Sequence, residues 1–169
     1  MNSIVLDVET TITNKGNPFD VRNRLCYIGC YDGDDYRLFD IEYSNSNYRK
    51  ELNEVQLLLD SFDCIVGFNL KFDLHWIKRY GIDFSKHSVW DCQLVQFILD
   101  NQSTPYPSLD GVAAGYGLDS KLSVVNDEYW DRGVDTPEIP RTILEDYLKQ
   151  DLLLSWQIYL IQLKRIENE

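Results

Sequence analysis

The order of strand-like and helix-like segments is the feature that most constrains the fold of this chain. Two apolar runs, Leu25 to Tyr31 and Tyr36 to Ile41, flank the polar turn Asp32-Gly33-Asp34-Asp35, which predicts a β-hairpin. An earlier apolar run, Ser3 to Val8, predicts a first, buried strand. We therefore expect the N-terminal part of the chain to supply three strands.

The rest of the chain alternates between helical and extended patterns. Apolar residues recur at helical spacing within Tyr48 to Ser61. Further strands are predicted at Cys64 to Phe68 and Val89 to Trp90, and helices at Leu70 to Tyr80, Asp91 to Leu99 and Ser108 to Tyr116. Pro140 is expected to begin a last helix that runs to about Arg165. A hairpin followed by β-α-β-α-β units predicts an α/β fold with a mixed central sheet flanked by helices.

Two acidic residues stand at the end of the first predicted strand. Asp7 and Glu9 are two residues apart, and residues i and i+2 of a strand point to the same face. Their carboxylates are therefore expected to project together, with Val8 on the opposite face. A solvated strand end can carry the same pair, so its meaning depends on the motifs that follow.

Two further polar pairs have helical spacing. Asn69 and Asp73 are four residues apart in a predicted helix, and so are Tyr147 and Asp151 in the last one. Residues i and i+4 lie on one helix face, so each pair can address a common point. The alternatives are a helix N-cap followed by a surface acid for the first pair, and a half-buried tyrosine beside an exposed acid for the second.

Acidic residues without accompanying His or Cys suit phosphodiester hydrolysis. Cleavage develops charge on the attacking water, the phosphate oxygens and the leaving oxygen, and two Mg²⁺ or Mn²⁺ ions about 3.5–4 Å apart can stabilise it. Such hard cations prefer carboxylate and other oxygen ligands. The three motifs together predict a metal-dependent nuclease.

The motifs also carry a family resemblance, which extends from Ile4 to about Trp156. Leu6-Asp7-Val8-Glu9-Thr10-Thr11, Gly67-Phe68-Asn69-Leu70-Lys71-Phe72-Asp73 and Tyr147-Leu148-Lys149-Gln150-Asp151 follow in the order seen in DEDD-superfamily 3′–5′ exonucleases of the tyrosine branch. The chain resembles the proofreading domains of family A DNA polymerases and the ribonuclease D group. The resemblance implies a ribonuclease H-like fold.

The same resemblance implies roles for individual residues. It assigns Asp7, Glu9, Asp73 and Asp151 to two divalent metal ions, Mg²⁺ or Mn²⁺, and Tyr147 to the attacking water. It also places Thr10 and Asn69 beside the substrate. The implied reaction is hydrolysis at the 3′ end of a nucleic acid, with single-stranded DNA as the expected substrate and nucleoside 5′-monophosphates as products.

The tyrosine assignment can be checked against the histidine branch of the superfamily. That branch has a histidine five residues before the last aspartate, where this chain has Asp146. The only histidines are His75, which faces away from Asp73 on a helix, and His87, in a loop-like stretch. Since the reference pKa of tyrosine is about 10, Tyr147 is expected to orient the water more than to deprotonate it.

The net charge of −12 opposes general nucleic-acid binding, because phosphate contacts need Lys and Arg. The acidic motifs themselves contribute four of the negative charges, and an exonuclease needs to hold only a few terminal nucleotides. Candidates for local phosphate contacts are Lys15, Arg22, Arg24, Lys71 and Lys121. A further hypothesis is a partner, such as a polymerase or replication complex acting in trans, that supplies additional nucleic-acid binding.

Length and composition predict one domain, residues 1–169, in a reducing, intracellular (cytoplasmic) setting. Neither a membrane span nor a signal peptide is predicted, so no membrane partner is expected. The cysteines form no Cys-x-x-Cys pair and read as buried free thiols: Cys26, Cys30, Cys64 and Cys92.

Several questions stay open at the level of sequence. Three alternative functions are compatible with the same motifs. They are an RNA-directed exonuclease, an inactive binding module of a replication or repair complex, and a ribonuclease H-like endonuclease. The predicted loop Asn126 to Pro140 precedes the last helix, and its Tyr129 and Trp130 could stack on bases or anchor the loop to the core.

Overall fold

The computed structural model describes residues 2–44 and 47–168 and is built around one five-stranded sheet with the order β3-β2-β1-β4-β5. Strands β1 (Ser3–Thr10), β2 (Leu25–Tyr31) and β3 (Tyr36–Asp40) are antiparallel neighbours. Strands β4 (Cys64–Gly67) and β5 (Ser88–Asp91) continue the sheet parallel to β1. The predicted mixed sheet is therefore confirmed.

Helices pack on both faces of the sheet, which confirms the predicted α/β class. Their bounds are α1 Arg49–Leu59, α2 Leu70–Arg79, α3 Cys92–Leu99, α4 Leu109–Gly115, α5 Val124–Glu128 and α6 Arg141–Asn168. Helices α1 and α2 cover one face, and α6, with α3, α4 and α5 around it, covers the other.

Strand β1 is the central strand, and its side chains enter two separate cores. Ile4, Leu6 and Val8 pack with α1 and α2, whereas Val5 packs with α6. Burial on both faces explains why the first strand reads as a continuous apolar run and not as an alternation of apolar and polar residues.

Helix α6 lies very close to the sheet where it crosses β2. A Cβ atom on Gly29 would stand 2.9 Å from side-chain atoms of both Leu148 and Leu152. Any larger residue would therefore push the helix outward. This close packing fixes the height of the α6 side chains above β1 and β2.

The structure departs most clearly from the sequence prediction in two segments. Strand β1 extends two residues beyond Val8, to Thr10, and its pairing register with β2 shifts between Glu9 and Thr10. The predicted loop Asn126 to Pro140 contains the end of α5 and the short 3₁₀ turns Trp130–Arg132 and Thr136–Glu138. Elements of three to five residues are too short to show a hydrophobic period.

Two further observations concern the cysteines and the character of the helices. All four cysteines are buried free thiols, as predicted. Within residues 2–44 and 47–168, none of the helices combines the length and the apolar character needed to cross a bilayer.

Candidate active site

The C-terminal end of β1 opens into a cleft of about 470 Å³. The residues predicted for the site all line it: Asp7, Glu9, Thr10, Asn69, Asp73, Tyr147 and Asp151. They come from β1, from the start of α2 and from the N-terminal half of α6. The fold thus brings the three sequence motifs together at one place.

Strand β1 presents Asp7 and Glu9 on one side of the sheet. Its register with β2 places them opposite Gly29 and Tyr27, while Val8 packs into the core beneath α2. Glu9 is only 5% exposed. The period of the strand therefore delivers both carboxylates to the cleft, as the spacing predicted.

The start of α2 holds Asn69 in an unusual conformation. Its φ of 57° and ψ of 43° are left-handed, and its side chain makes no capping hydrogen bond. The carboxylate of Asp91 instead accepts the N–H groups of Asn69 and Leu70, at 3.0 and 2.9 Å. Asn69 therefore stands at the N-cap position of α2, but its side chain does not cap the helix and is exposed at the cleft.

Asp73 is a buried residue and not the surface acid suggested as an alternative. It is 2% exposed, and its Oδ1 accepts the N–H of Val8 at 3.0 Å. This bond joins α2 to β1 and sets the distance between the first and second motifs. The carboxylate of Asp73 is thus held by backbone, not left free to rotate in solvent.

Tyr147 and Asp151 occupy successive turns of α6 and are both buried. The ring of Trp130 packs edge-to-face on Tyr147, with centroids 5.5 Å apart, and its Nε1 donates to Thr136 Oγ1 at 3.1 Å. Trp130 therefore anchors its loop and also lines the cleft, whereas Tyr129 packs against the core. The half-buried tyrosine and exposed acid suggested as an alternative for this pair are not observed.

Lys121, a candidate for phosphate contact, lines the cleft but makes an ion pair that the sequence did not predict. Its Nζ is 2.7 Å from Asp151 Oδ2 and 4.7 Å from the centre of the Tyr147 ring. Burial alone would lower its pKa, but the charges of Asp151 and the Tyr147 hydroxyl raise it above the ordinary lysine value. In this structure the Lys121 ammonium therefore acts as a counter-ion for the acidic residues.

Burial raises the pKa of every carboxyl in the cluster. Desolvation, followed by repulsion from Asp151, raises the pKa of Asp7 to about 7. Burial raises the pKa of Asp151 to about 6, although Lys121 acts in the opposite direction. The pKa values of Glu9 and Asp73 lie well above their usual range, chiefly through burial and next through the charge of Asp7. Burial in the folded site therefore favours the protonated form of each of these carboxyls.

The chemistry of the donor set fits a divalent cation, but the side chains do not form a finished metal site. Asp151 Oδ1 is buried without a hydrogen-bond partner, as expected of an oxygen intended for another ligand. Across the described ranges, no three His, Cys, Asp or Glu side chains are arranged to hold one metal ion. The reason is local, since Asp73 is turned to Val8 and Asp151 to Lys121.

The other basic residues that were predicted to contact phosphate do not all lie in the cleft. Lys15 lines the cleft, whereas Arg22, Arg24 and Lys71 do not. Neither histidine belongs to the site: His75 packs against Phe19, and the Nε2 of His87 is 3.0 Å from Leu59 O.

Sequence reasoning missed the apolar part of the cleft wall, formed by Ile12, Gly16, Phe68 and Phe72. Gly16 has a φ of 68°, and a Cβ there would stand 2.6 Å from Thr10 Oγ1. Phe68 and Phe72 stand within the second motif, on either side of Asn69, so their position beside a predicted site residue was the available signal.

Comparison with known proteins gives one family match. Residues 1–125 match the model of a family described as 3′–5′ exonuclease. This range contains Asp7, Glu9 and Asp73 and ends before Tyr147 and Asp151. No curated protein sequence matches the chain.

Solved structures with the same fold include two of NrnC from Brucella melitensis. The one with bound Mg²⁺ has a TM-score of 0.68 and 20% identity and covers 99% of this chain and 75% of that chain. The one bound to pGG has a TM-score of 0.66 and 22% identity, over 99% and 74%. A family B DNA polymerase from Pyrobaculum calidifontis has a TM-score of 0.65 and 18% identity, over 95% and 24%. These likenesses confirm the predicted ribonuclease H-like fold.

Proposed function

The chain belongs to the 3′–5′ exonuclease family whose model it matches, and we propose that it shortens single-stranded nucleic acid from the 3′ end by hydrolysis, releasing nucleoside 5′-monophosphates. The observation that carries this proposal is the convergence of four acidic residues and Tyr147 in one cleft. The raised pKa values are typical of functional carboxylates, which are buried together at a cost to stability.

We assign metal binding to Asp7, Glu9, Asp73 and Asp151. Two divalent ions, Mg²⁺ or Mn²⁺, would supply charge stabilisation for the attacking and leaving oxygens. The unpartnered Asp151 Oδ1 supports this assignment, and so does the fold likeness to NrnC, which has been solved with Mg²⁺. Lys121 must release Asp151 for that carboxylate to take part.

We assign the orientation of the attacking water to Tyr147. Burial, and then the charges of Asp151 and Glu9, raise the pKa of its hydroxyl above the ordinary tyrosine value. Tyr147 therefore stays protonated at neutral pH and can accept or donate a hydrogen bond without acting as a strong base. The nearby ring of Trp130 keeps the Tyr147 side chain in place.

The terminal nucleotide would occupy the cleft between Thr10, Asn69 and the aromatic wall of Phe72 and Trp130. Aromatic rings bind bases of any sequence by stacking, so the wall favours an unpaired end over a particular sequence. We propose single-stranded DNA as the substrate, from the resemblance to polymerase proofreading domains. RNA is the second candidate, because the fold is also that of NrnC, which has been solved with pGG.

The decisive experiment follows the products from one labelled end. A 5′-labelled single strand of DNA and an RNA of equal sequence are incubated with Mg²⁺, Mn²⁺ or chelator. We expect a descending ladder with metal and none with chelator, and the relative rates identify the preferred sugar. Cleavage of a covalently closed single-stranded circle at a comparable rate would contradict the proposal and indicate an endonuclease.

Two variants distinguish cleavage by the cleft residues from cleavage by a contaminating nuclease. Asp7→Asn changes one cleft acid and should abolish the ladder. Asp34→Asn changes an exposed acid in the turn between β2 and β3 and should leave the ladder intact. Equal activity of wild type, Asp7→Asn and Asp34→Asn would favour the alternative that this chain is an inactive binding module.

We also propose that residues 1–169 form one exonuclease domain, since the first strand and the last helix both line the cleft. Limited proteolysis that leaves this range uncut would support that boundary. A polymerase or replication partner in trans is a separate hypothesis, and stimulation of the ladder by an added polymerase would test it.

A further inference from the structure

We propose that the exposed face of α2, together with Phe19, is the path along which the substrate strand leaves the cleft on the 5′ side of its terminal nucleotide. We call this surface the α2 ridge and define it as Lys71, His75, Lys78 and Phe19. The proposal rests on the exonuclease function, and it adds a second binding surface outside the cleft.

The ridge begins where the cleft ends. The first turn of α2 contributes Asn69, Phe72 and Asp73 to the cleft wall, and Lys71 stands exposed between them on the outer side. Lys71, His75 and Lys78 follow at spacings of four and three residues, so they form one row along the helix. At a rise of 1.5 Å per residue the row is about 10 Å long, enough to accompany more than one nucleotide.

Phe19 provides an aromatic platform beside this row. Its side chain is 76% exposed, and its ring meets that of His75 edge-on, with centroids 5.2 Å apart. Exposed aromatic rings beside cations are the elements with which proteins bind single strands irrespective of sequence.

The exposure of Phe19 is built into the fold. Trp76 Nε1 donates to Gly16 O at 3.0 Å, and Arg79 donates to the carbonyl oxygens of Pro18 and Asp20 at 2.9 and 3.2 Å. The loop that carries Phe19 is therefore attached to α2 on both sides of that residue, and these contacts keep the Phe19 ring exposed to solvent.

Lys71 and Lys78 give the ridge positive charge in an otherwise acidic chain. In a protein with 28 Asp and Glu against 16 Lys and Arg, none of the ion pairs in the described ranges uses Lys71 or Lys78. Asp91 lines the same apolar hollow as the two lysines, but its oxygens accept the N–H groups of Asn69, Leu70 and Gln93. The two ammonium groups are thus available to phosphates.

The test compares substrates of different length. Binding of a 5′-fluorescent octanucleotide is followed by anisotropy in chelator, and hydrolysis of a dinucleotide and the octanucleotide is measured with Mg²⁺ or Mn²⁺. The variants are Lys71→Ala/Lys78→Ala, Phe19→Ala and the control Lys50→Ala, whose lysine lies on α1 and pairs with Glu54. Melting curves verify that each variant is folded.

We expect the double variant to bind the octanucleotide more weakly and to lose its advantage for octanucleotide over dinucleotide hydrolysis. The slope of log affinity against log salt should become shallower by about 1.4, since each phosphate contact of a single strand contributes about 0.7. Phe19→Ala should weaken binding by about fivefold or more. Lys50→Ala should behave as wild type.

Other results would contradict the proposed role of the ridge or the proposed function. If the double variant matches Lys50→Ala in affinity, salt slope and length preference, the ridge does not bind the strand. If affinity is lost without any change in salt slope, the surface binds apolar groups and the proposal is wrong. A wild type that hydrolyses neither substrate would overturn the proposed function, while the anisotropy data would still decide whether the ridge binds nucleic acid.

Discussion

At the scale of single residues, the clearest prediction concerns the Tyr147 hydroxyl. Tyr147→Phe removes one oxygen and keeps the ring that Trp130 contacts. A group that positions a reacting water typically contributes about 10²–10⁴-fold. We expect the lower end, about 10²-fold slower single-turnover cleavage with metal affinity unchanged, because bound metal can activate the water as well.

The matched control for this variant lies on the same helix. Tyr159→Phe removes a hydroxyl that hydrogen-bonds Ser3 Oγ at 2.8 Å outside the cleft. It should cost about 1 kcal/mol of stability and leave cleavage intact. If Tyr147→Phe turned over at the wild-type rate, the hydroxyl would have no catalytic role.

Lys121 gives a second prediction at this scale. Lys121→Met keeps the apolar stem and removes the charge that faces Asp151 at 2.7 Å. The metal-free variant should be less stable by about 3 kcal/mol, since a buried carboxylate loses its partner. The rise in melting temperature on adding Mn²⁺ should be larger than in wild type, because Lys121 no longer competes for Asp151. A smaller rise would show that Lys121 assists metal binding.

Spacing predicted which side chains share a face, the family resemblance implied that the four acidic residues form one site, and Lys121 was predictable only in part. Periods of two and four residues fix which side chains share a face, so Asp7 with Glu9 and Tyr147 with Asp151 follow from the sequence. Lys121 was a candidate for phosphate contact, but its ion pair with Asp151 is set by a segment between α4 and α5 that has no hydrophobic period. Long-range pairs of this kind depend on tertiary packing.

At the scale of secondary-structure elements, the start of α2 allows a test of backbone strain. Asn69 has a φ of 57°, a conformation that glycine and asparagine tolerate better than other residues. Asn69→Ala should therefore destabilise the protein by about 1 kcal/mol, whereas Asn69→Gly should be nearly neutral. Chemical denaturation of the two variants measures the difference.

Comparison of the two variants also separates strain from substrate contact. If the Asn69 side chain binds substrate, both variants should show a raised KM, although only Asn69→Ala is less stable. Equal stability of Asn69→Ala and Asn69→Gly would contradict the strain argument.

Elements with a strong local signal were predicted, and those without one were not. The hairpin followed from its turn residues, and α3 begins next to Asp91, close to the predicted start, because the Asp91 carboxylate accepts the Gln93 N–H at 3.0 Å. The extension of β1 to Thr10 was missed because Glu9 and Thr10 are polar. Their burial is explained by the loop above, where Thr136 Oγ1 donates to Thr10 O and Asp135 Oδ1 accepts the Ile12 N–H.

At the scale of the whole molecule, charge is distributed unevenly between site and surface. The net charge of −12 includes four carboxylates that are buried in the cleft. Folding concentrates these groups, so the metal-free protein carries an electrostatic cost that metal binding would remove. The acidic character that opposed a nucleic-acid function at the level of sequence is thus in part a property of the proposed metal site.

This cost predicts how the stability of the metal-free protein depends on pH. The folded-state pKa values are raised to about 7 for Asp7 and about 6 for Asp151, from a usual value of 3.8, chiefly by burial. Between the unfolded and folded pKa values the folded state binds more protons, so the free energy of unfolding falls as pH rises. The stabilisation is complete below pH 4 and is lost as pH passes through 6 to 7.

Acids with lowered pKa values act in the opposite direction but outside this window. The pKa values of Asp32 and Asp40, for example, are held low by hydrogen bonds against the effect of burial, and their contribution to stability is already complete above pH 5. We therefore expect the melting temperature in chelator to decrease from pH 5 to pH 8.

Asp7→Asn should flatten that decrease, because the amide cannot ionise, and should melt at or above the wild-type temperature at pH 8. With saturating Mn²⁺ at pH 8 the order should reverse, since metal at a hundred times Kd adds about 2.7 kcal/mol to wild type alone. If Asp7→Asn melted several degrees below wild type in chelator and kept the full rise with Mn²⁺, Asp7 would be a structural residue and its assignment to the metal site would be wrong.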